Sequence, residues 1–405
     1  MTSISDIILT VLRAIKFRLY PNSAQSQRLT DYIDSSRIIF NKALEQRIHA
    51  VKSNGKGIDY PNQQKQLTLQ RRTEDMDIPV DIQRDGLRRV DVAFKNFFRR
   101  CKEGAKRKGF PRFKSANRYN SFTAGNAADF AKDGRVKIPG IKRSIRCRGM
   151  QPITAKQKRL TIVRRAGKWF GRILVDDEQQ SPEKKQIKSS IGIDMGLNSF
   201  LTTSDGEKID CPKHYRRLSH RLRRAQRLVS RRKKGSKRRG RAILSLQRIH
   251  AKIADCRDDF THKLSKQLVG QYDFIAAEKL NIKGMVRSNL AKSILDAAWG
   301  QFLFRVSYKA ENAGKTFDQG NPNGTTINCS GCGEPVPKSL SERTHRCKCG
   351  LVLDRDVNAA RNVLFRALKR ILTPGAASVG KRREGSTSTT EQGALSQVGP
   401  LNCVG

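Results

Sequence analysis

The chain has 405 residues and carries 82 lysines and arginines against 36 aspartates and glutamates, a formal net charge of +46. That length allows one to three domains with cores of their own, and the charge calls for a polyanionic partner. Neither a membrane surface as that partner nor a signal peptide is expected: the best apolar run, Ile7 to Leu12, is about half the ~20 residues a span needs and is bracketed by Asp6 and Arg13.

Read from the N-terminus, Ile15, Phe17 and Leu19 alternate with Lys16, Arg18 and Tyr20, the period of a half-buried strand that Pro21 ends. Helical stripes follow, first Leu29, Ile33, Phe40, Leu44 and Ile48, then Leu87, Val90, Phe94, Phe97 and Cys101. Between Gly109 and Phe122, Phe110, Phe113, Tyr119 and Phe122 are interleaved with Arg112, Lys114 and Arg118. Such a segment can stack bases while neutralising phosphates, or it can be a basic loop packed on the core, and the pattern leaves both open. Strand signals return at Arg135 to Ile138 and in a hairpin from Leu160 to Val175 turned at Ala166-Gly167-Lys168, so the helices read as an insertion in a β-domain. Gln179 to Lys185 reads as a linker.

A buried strand is predicted at Ile191 to Ile193, with Leu197 to Thr203 returning beside it. From Cys211 to Ala254 no acidic residue occurs, while Arg223, Arg224, Arg231, Arg232, Lys233 and Lys234 fall in a long basic helical region. Such a run repels itself unless an anion lies against it, so these residues are expected to meet a nucleic-acid backbone. Its continuation carries Leu246, Ile249, Ile253, Cys256, Phe260, Leu264 and Leu268 on one face, suited to packing on a sheet. The segment from Thr373 on is rich in Gly, Ser and Thr and is expected to be a disordered tail.

Three acids stand out. Asp194 ends one apolar strand, Glu278 ends the run Phe274 to Ala277, and Asp356 lies where a helix opens. Each alone suits a strand end or a helix cap. Together they can converge on a pair of Mg2+ ions, hard cations that prefer oxygen and drive phosphodiester hydrolysis. Four of the nine cysteines cluster as Cys329-x-x-Cys332 and Cys347-x-Cys349, the donors of one tetrahedral, structural Zn2+. The second gap is one residue shorter than usual, which leaves His345 as an alternative ligand. Cys101, Cys147, Cys211, Cys256 and Cys403 read as inert small side chains.

Gly192-Ile193-Asp194-Met195-Gly196, Glu278-Lys279-Leu280, the cysteine knuckles and Asp354 to Asn362 resemble, in order, the RuvC-like blocks of the TnpB proteins of bacterial insertion sequences, kin of the compact type V CRISPR effectors. Lys16 to Pro21, Ala93 to Phe98, Gly109 to Phe113 and Asp296 to Trp299 add to the resemblance, which covers nearly all of the chain before the tail. It implies an α/β multidomain protein. A β-barrel wedge domain over 1–22 and 115–180 would carry a helical recognition domain at 23–114. A ribonuclease H-like nuclease core over 186–320 and 351–372 would hold a zinc ribbon at 321–350, and 373–405 would form the tail. It implies catalysis by Asp194, Glu278 and Asp356, with Asp354 structural, and Arg361 and Asn362 either positioning the scissile phosphate or merely polar on a helix surface. Thr123 matches a region that contacts the motif flanking the DNA target, Arg112 is a further nucleic-acid contact, and Trp299 is either core or part of a lid.

The partners implied are a transposon-derived guide RNA and double-stranded DNA bearing a short flanking motif. The protein would act as a monomer in the bacterial cytoplasm, at the nucleoid, and hold the heteroduplex by its backbone. Competing readings are a nuclease-silent RNA-guided regulator, a guide-independent RuvC-like resolvase or transposase, and a plain RNA-binding protein.

Overall fold

The computed structural model describes residues 11–73, 77–125, 131–177, 182–339 and 341–372. The sequence expectations for the first residues and for the tail, Cys403 included, fall outside them. Strand β1 (Val11–Tyr20) stops at Pro21, and Asn22 starts helix α1 (Ser23–Asn54) with a reciprocal cap. The Asn22 side chain accepts from the Gln25 amide at 2.8 Å while Gln25 Oε1 accepts from the Asn22 amide at 3.1 Å. Helix α2 (Tyr60–Thr73) and helix α3 (Val80–Lys102) complete the helical insertion.

The chain then returns through β2 (Ser121–Ala124), β3 (Ala131–Lys132), β4 (Arg135–Val136), β5 (Ile145–Arg148), β6 (Lys156–Arg165) and β7 (Lys168–Asp177). These pair with β1 in one antiparallel sheet ordered β2-β6-β7-β1-β5-β4-β3. Among the described residues no ladder joins β2 to β3. The β6–β7 turn is a two-residue loop, since Arg165 pairs with Lys168. Ala166 and Gly167 both sit at positive φ, 50° and 74°, as the twist of a tight hairpin demands. The helices lie on this sheet through Tyr32, whose ring meets Phe122 edge-on at 5.6 Å, and through Leu29, Ile82 and Val90.

A second body follows. Its sheet is ordered β10-β9-β8-β11-β12, from β8 (Ser190–Asp194), β9 (Ser199–Thr203), β10 (Lys208–Asp210), β11 (Phe274–Glu278) and β12 (Thr316–Gly320). Strands β8, β11 and β12 run parallel, and β9 and β10 are antiparallel additions. Helices α4 (His214–Arg231) and α5 (Lys237–Gln271) lead from β10 to β11. Helices α6 (Ile282–Met285), α7 (Ala291–Ala297) and α8 (Trp299–Asn312) lead from β11 to β12.

All of β11 is buried, as a central parallel strand covered on both faces requires. Ile275 and Ala277 share a core with Leu264, Leu268 and Phe302 of α5 and α8. Phe274 and Ala276 pack instead with Val363 and Ala367 of helix α9 (Arg355–Leu372). The sheet is thus sandwiched between helices. Between β12 and α9 the chain makes a small cysteine-bearing module with the hairpin β13 (Thr344–Arg346) and β14 (Val352–Asp354). Among the described residues, no helix is long and apolar enough to cross a membrane.

Candidate functional site

Strands β8 and β11 are parallel neighbours, with Ile193 opposite Ala277 in register. Asp194 and Glu278, the next residue of each, therefore leave the sheet at the same end. Asp356 reaches that end because α9 lies very close on β8. A Cβ on Gly192 would sit 2.1 Å from the Ala360 carbonyl oxygen, so only glycine there admits the helix. Asp354 fixes where α9 begins: its Oδ1 accepts from the Asp356 amide at 2.9 Å, and Lys208 Nζ holds its other oxygen at 2.6 Å. Those hydrogen bonds and the lysine hold the Asp354 carboxyl below its ordinary pKa despite partial burial. Asp354 thus caps α9, a structural role.

The three acids share one electrostatic field. Burial, then the charges of Glu278 and Asp356, push the Asp194 carboxyl from its ordinary 3.8 to about 7. Glu278 is only 7% exposed. Burial raises its pKa as well, against a hydrogen bond from Thr325 and the charge of Arg366. Arg355 Nε and an Arg343 guanidinium nitrogen stand 3.4 and 3.9 Å from Asp356. Among the described residues, only the four cysteines bring three or more ligand atoms within 4.8 Å of one another; the carboxylate oxygens do not draw together as closely. The three carboxylates, of which Asp194 is held partly protonated by burial and by its acidic neighbours, offer oxygen donors only, a set that fits hard divalent cations.

In the cysteine module, the sulfurs of Cys329 and Cys349 are 3.7 Å apart and those of Cys332 and Cys347 3.5 Å. All four lie within 4.8 Å of one another, so both Cys347 and Cys349 belong to the set despite their short spacing, and His345 lies outside it. Gly350, at φ 89°, supplies the tight turn after the second knuckle. Burial pushes the Cys329 thiol up, but the Cys332 and Gly331 amides, His345 and Cys347 outweigh it and leave a pKa of about 6. Four sulfurs gathered this closely suit Zn2+ in a closed, structural site.

Behind the acids, Asn362 and Asn358, one turn apart on α9, clasp the module's first loop. Asn362 Nδ2 donates to the carbonyls of Thr325 and Asn328 at 2.8 and 2.6 Å. Asn358 donates to Asn328 at 2.8 Å and accepts from the Ser330 amide at 2.9 Å. Asn362 is thus buried and spent on backbone, not on a helix surface. Arg361 Nε donates to the Ser204 carbonyl at 3.1 Å. Trp299 is 2% exposed and belongs to the core.

Two residues that sequence reasoning left without a role are prominent here. Thr325 donates to Glu278 at 2.5 Å. Asp296, buried, accepts from the Tyr215 amide that opens α4 and from Arg257 of α5, at 2.8 Å each, and so ties three helices together.

The basic residues form a surface of their own. Helices α4 and α5 make an antiparallel hairpin closed by Arg239, which donates to the carbonyls of Val229 and Arg232. Arg223, Arg224, Arg231, Arg232, Lys233 and Lys234 are all exposed. A groove of about 530 Å³ between the helices is lined by Arg221, Arg224, Arg227 and Arg231 over Leu228 and Ile249. Arg112 is exposed.

Thr123 is 8% exposed, its amide donating to Asp85. Of the interleaved aromatics, Phe110 packs on Phe94 and Phe97, Tyr119 bonds Ser36 at 2.7 Å, and Phe122 is core. Phe113, 56% exposed, and Phe110, 49% exposed despite its packing, keep ring surface open to stacking.

The fold and these two donor sets define a strongly basic α/β protein with a four-cysteine module docked behind an acidic cluster. Family models agree: one described as "Probable transposase" matches residues 172–289, and one described as "Cas12f1-like, TNB domain" matches 299–363. A third, described as "Helix-turn-helix domain", matches 11–56, a stretch that folds here as β1 and the single helix α1.

A Streptomyces pristinaespiralis protein described as "Putative RNA-guided DNA endonuclease" is 34% identical over 400 residues, 96% of each chain. InsQ of Escherichia coli K12, described in the same words, is 27% identical over 87% of this chain and 92% of its own. "TnpB-like protein L79" of Acanthamoeba polyphaga mimivirus is 29% identical over 45% of this chain and 38% of its own. A solved structure titled "Structure of the mini-RNA-guided endonuclease CRISPR-Cas_phi3" gives a TM-score of 0.44 at 9% identity, over 89% of this chain and 92% of that one. The chain belongs to the TnpB family.

Proposed function

We propose that this protein is an RNA-guided DNA endonuclease that cuts its target beside a short flanking motif with a RuvC-like, Mg2+-dependent centre made by Asp194, Glu278 and Asp356. The observation that carries this reading is the field at Asp194, whose pKa is lifted to about 7 by burial and by the two other acids. The Met195 amide and the Arg355 charge offset only part of that rise, and cations would remove the repulsion that remains.

The three carboxylates would hold two divalent ions, which supply an activated water for in-line attack on a phosphodiester and stabilise the leaving oxygen. Asp194 and Glu278, fixed at strand ends, set the spacing, and Asp356 closes the third side from α9. Arg355 and Arg343, beside Asp356, are placed to meet phosphate charge. The cysteine module would hold one structural Zn2+. The α4–α5 surface would grip guide RNA or its duplex with DNA by phosphate contacts, leaving sequence to base pairing. The protein would work as a monomer at the bacterial nucleoid with a transposon-derived guide.

The test is cleavage and binding measured side by side on the protein carrying RNA transcribed from its own locus. Asp194→Ala, Glu278→Ala and Asp356→Ala are each expected to cut at least 100-fold more slowly while binding matched DNA with unchanged affinity, the order expected on losing a metal ligand. Full cutting by any one of them removes that residue from the centre. A wild-type chain that binds matched DNA but never cuts would leave a regulator instead.

A further inference from the structure

The cysteine module and the acidic cluster are joined by one hydroxyl. Thr325 is 2% exposed, and its Oγ1 lies 2.5 Å from Glu278 Oε1 and 2.9 Å from the Pro322 carbonyl oxygen. A threonine hydroxyl has one hydrogen for these two acceptors. An ionised carboxylate at the shorter distance takes it, because charge-assisted hydrogen bonds are both shorter and stronger than neutral ones. One Glu278 oxygen is thereby committed to the protein, and the rotation of the carboxylate is fixed.

Thr325 cannot drift, because its own carbonyl accepts from Asn362 Nδ2. The same Nδ2 holds Asn328, the residue next to Cys329, and Asn358 bonds both Asn328 and Ser330 around the first knuckle. A set of buried and part-buried hydrogen bonds thus runs from the residues flanking Cys329 to the acid.

We propose that Thr325 is a positioning residue for the Glu278 carboxylate, and that the cysteine module, clasped by Asn358 and Asn362, exists in part to hold Thr325 there. The inference rests on the metal-binding reading of the three acids. Partners that orient a metal's ligands typically contribute about 10–100-fold to its affinity, and Thr325 stands in that relation to Glu278. Thr325→Val keeps the shape of the side chain and leaves Glu278 Oε1 without its donor. Thr325→Ser keeps the donor.

The experiment titrates the full-length, zinc-loaded protein with Mn2+, reading free Mn2+ by electron paramagnetic resonance. Zinc content is measured on every variant as a check that the module is folded. Thr325→Val is expected to weaken Mn2+ binding by about tenfold, with one zinc per chain retained and Thr325→Ser within about twofold of wild type. Thr325→Ala, which also lacks the hydroxyl, is expected to match Thr325→Val and replaces it should that variant lose its zinc. Wild-type affinity in the variants without the hydroxyl, or an equal loss in Thr325→Ser, overturns the inference. Glu278→Gln separates the two levels: if it too binds Mn2+ as wild type does, the metal-binding reading of Glu278 fails, whereas if it alone loses Mn2+, only the role of Thr325 does.

Discussion

At the scale of single residues, Asp194 shows what the assembly costs without metal. A carboxyl whose pKa rises from its ordinary 3.8 to about 7 on folding binds its proton more tightly folded than unfolded. The sign follows: stability is lost as pH rises from about 4 to about 7, and stays lost above. Asn has the same shape and cannot ionise. In EDTA at pH 8, Asp194→Asn is therefore expected to melt several degrees above wild type, and at pH 4 the two should converge. With Mg2+ at pH 8 the order should reverse, because wild type gains a cation that Asn binds poorly. Thermal melts at both pH values decide it, and a variant no more stable than wild type in EDTA at pH 8 would contradict the shared field.

The residue scale also separates what was readable from what was not. Asp194, Glu278 and Asp356 are legible because each follows an apolar run or opens a helix, and the four cysteines because thiol pairs at knuckle spacing have few other uses. Thr325 carries no such sign. Its partner is 47 positions away, and a threonine beside Thr326 in a Gly-Thr-Thr stretch reads as a plain turn residue. Asn362 was legible as important but not in its role, since sequence cannot tell a side chain aimed at a phosphate from one spent on buried carbonyls.

Among elements, those with a strong apolar period came through: β1, α1, α3, the β6–β7 hairpin, β8, β9 and β11. Helix α2 did not, and its contacts say why. It is held by polar bonds, Arg47 to Gln63 at 2.8 Å and Gln63 to the Ala43 carbonyl at 2.8 Å, with Leu67 the one apolar residue it buries. No stripe of that kind can be read. The basic-aromatic segment before β2 left two roles open, and packing claims most of its rings, because Phe94 and Phe97 of α3 offer an aromatic wall.

The hairpin of α4 and α5 is the element that bears the charge. Its guanidiniums face outward and line their own groove, an arrangement that an anionic backbone would stabilise. Reversing Arg231, Arg232 and Lys233 together to Glu is expected to flatten the dependence of log affinity on log salt by roughly 0.9 for each duplex phosphate no longer neutralised. Affinity measured from low to high salt reads this directly, and an unchanged slope would move these residues off the nucleic-acid face.

At the scale of the whole molecule, the chain builds two cores. The antiparallel sheet and its helical insertion form one core and the helix-covered mixed sheet another. Arg165 and Gly167 of the β6–β7 turn reach across to α5, through the Arg165–Asp255 ion pair at 2.8 Å and the Leu244 side chain. The acids, the sulfur nest and the asparagine clasp all belong to the second body, around the first turns of α9. That concentration makes one claim central: three carboxylates from β8, β11 and α9 serve a single divalent-metal centre. Anomalous diffraction from crystals of the protein soaked in Mn2+ tests it most directly. Two Mn2+ peaks bridged by Asp194, Glu278 and Asp356 are predicted. Occupied Mn2+ sites elsewhere with none at these acids would contradict the account.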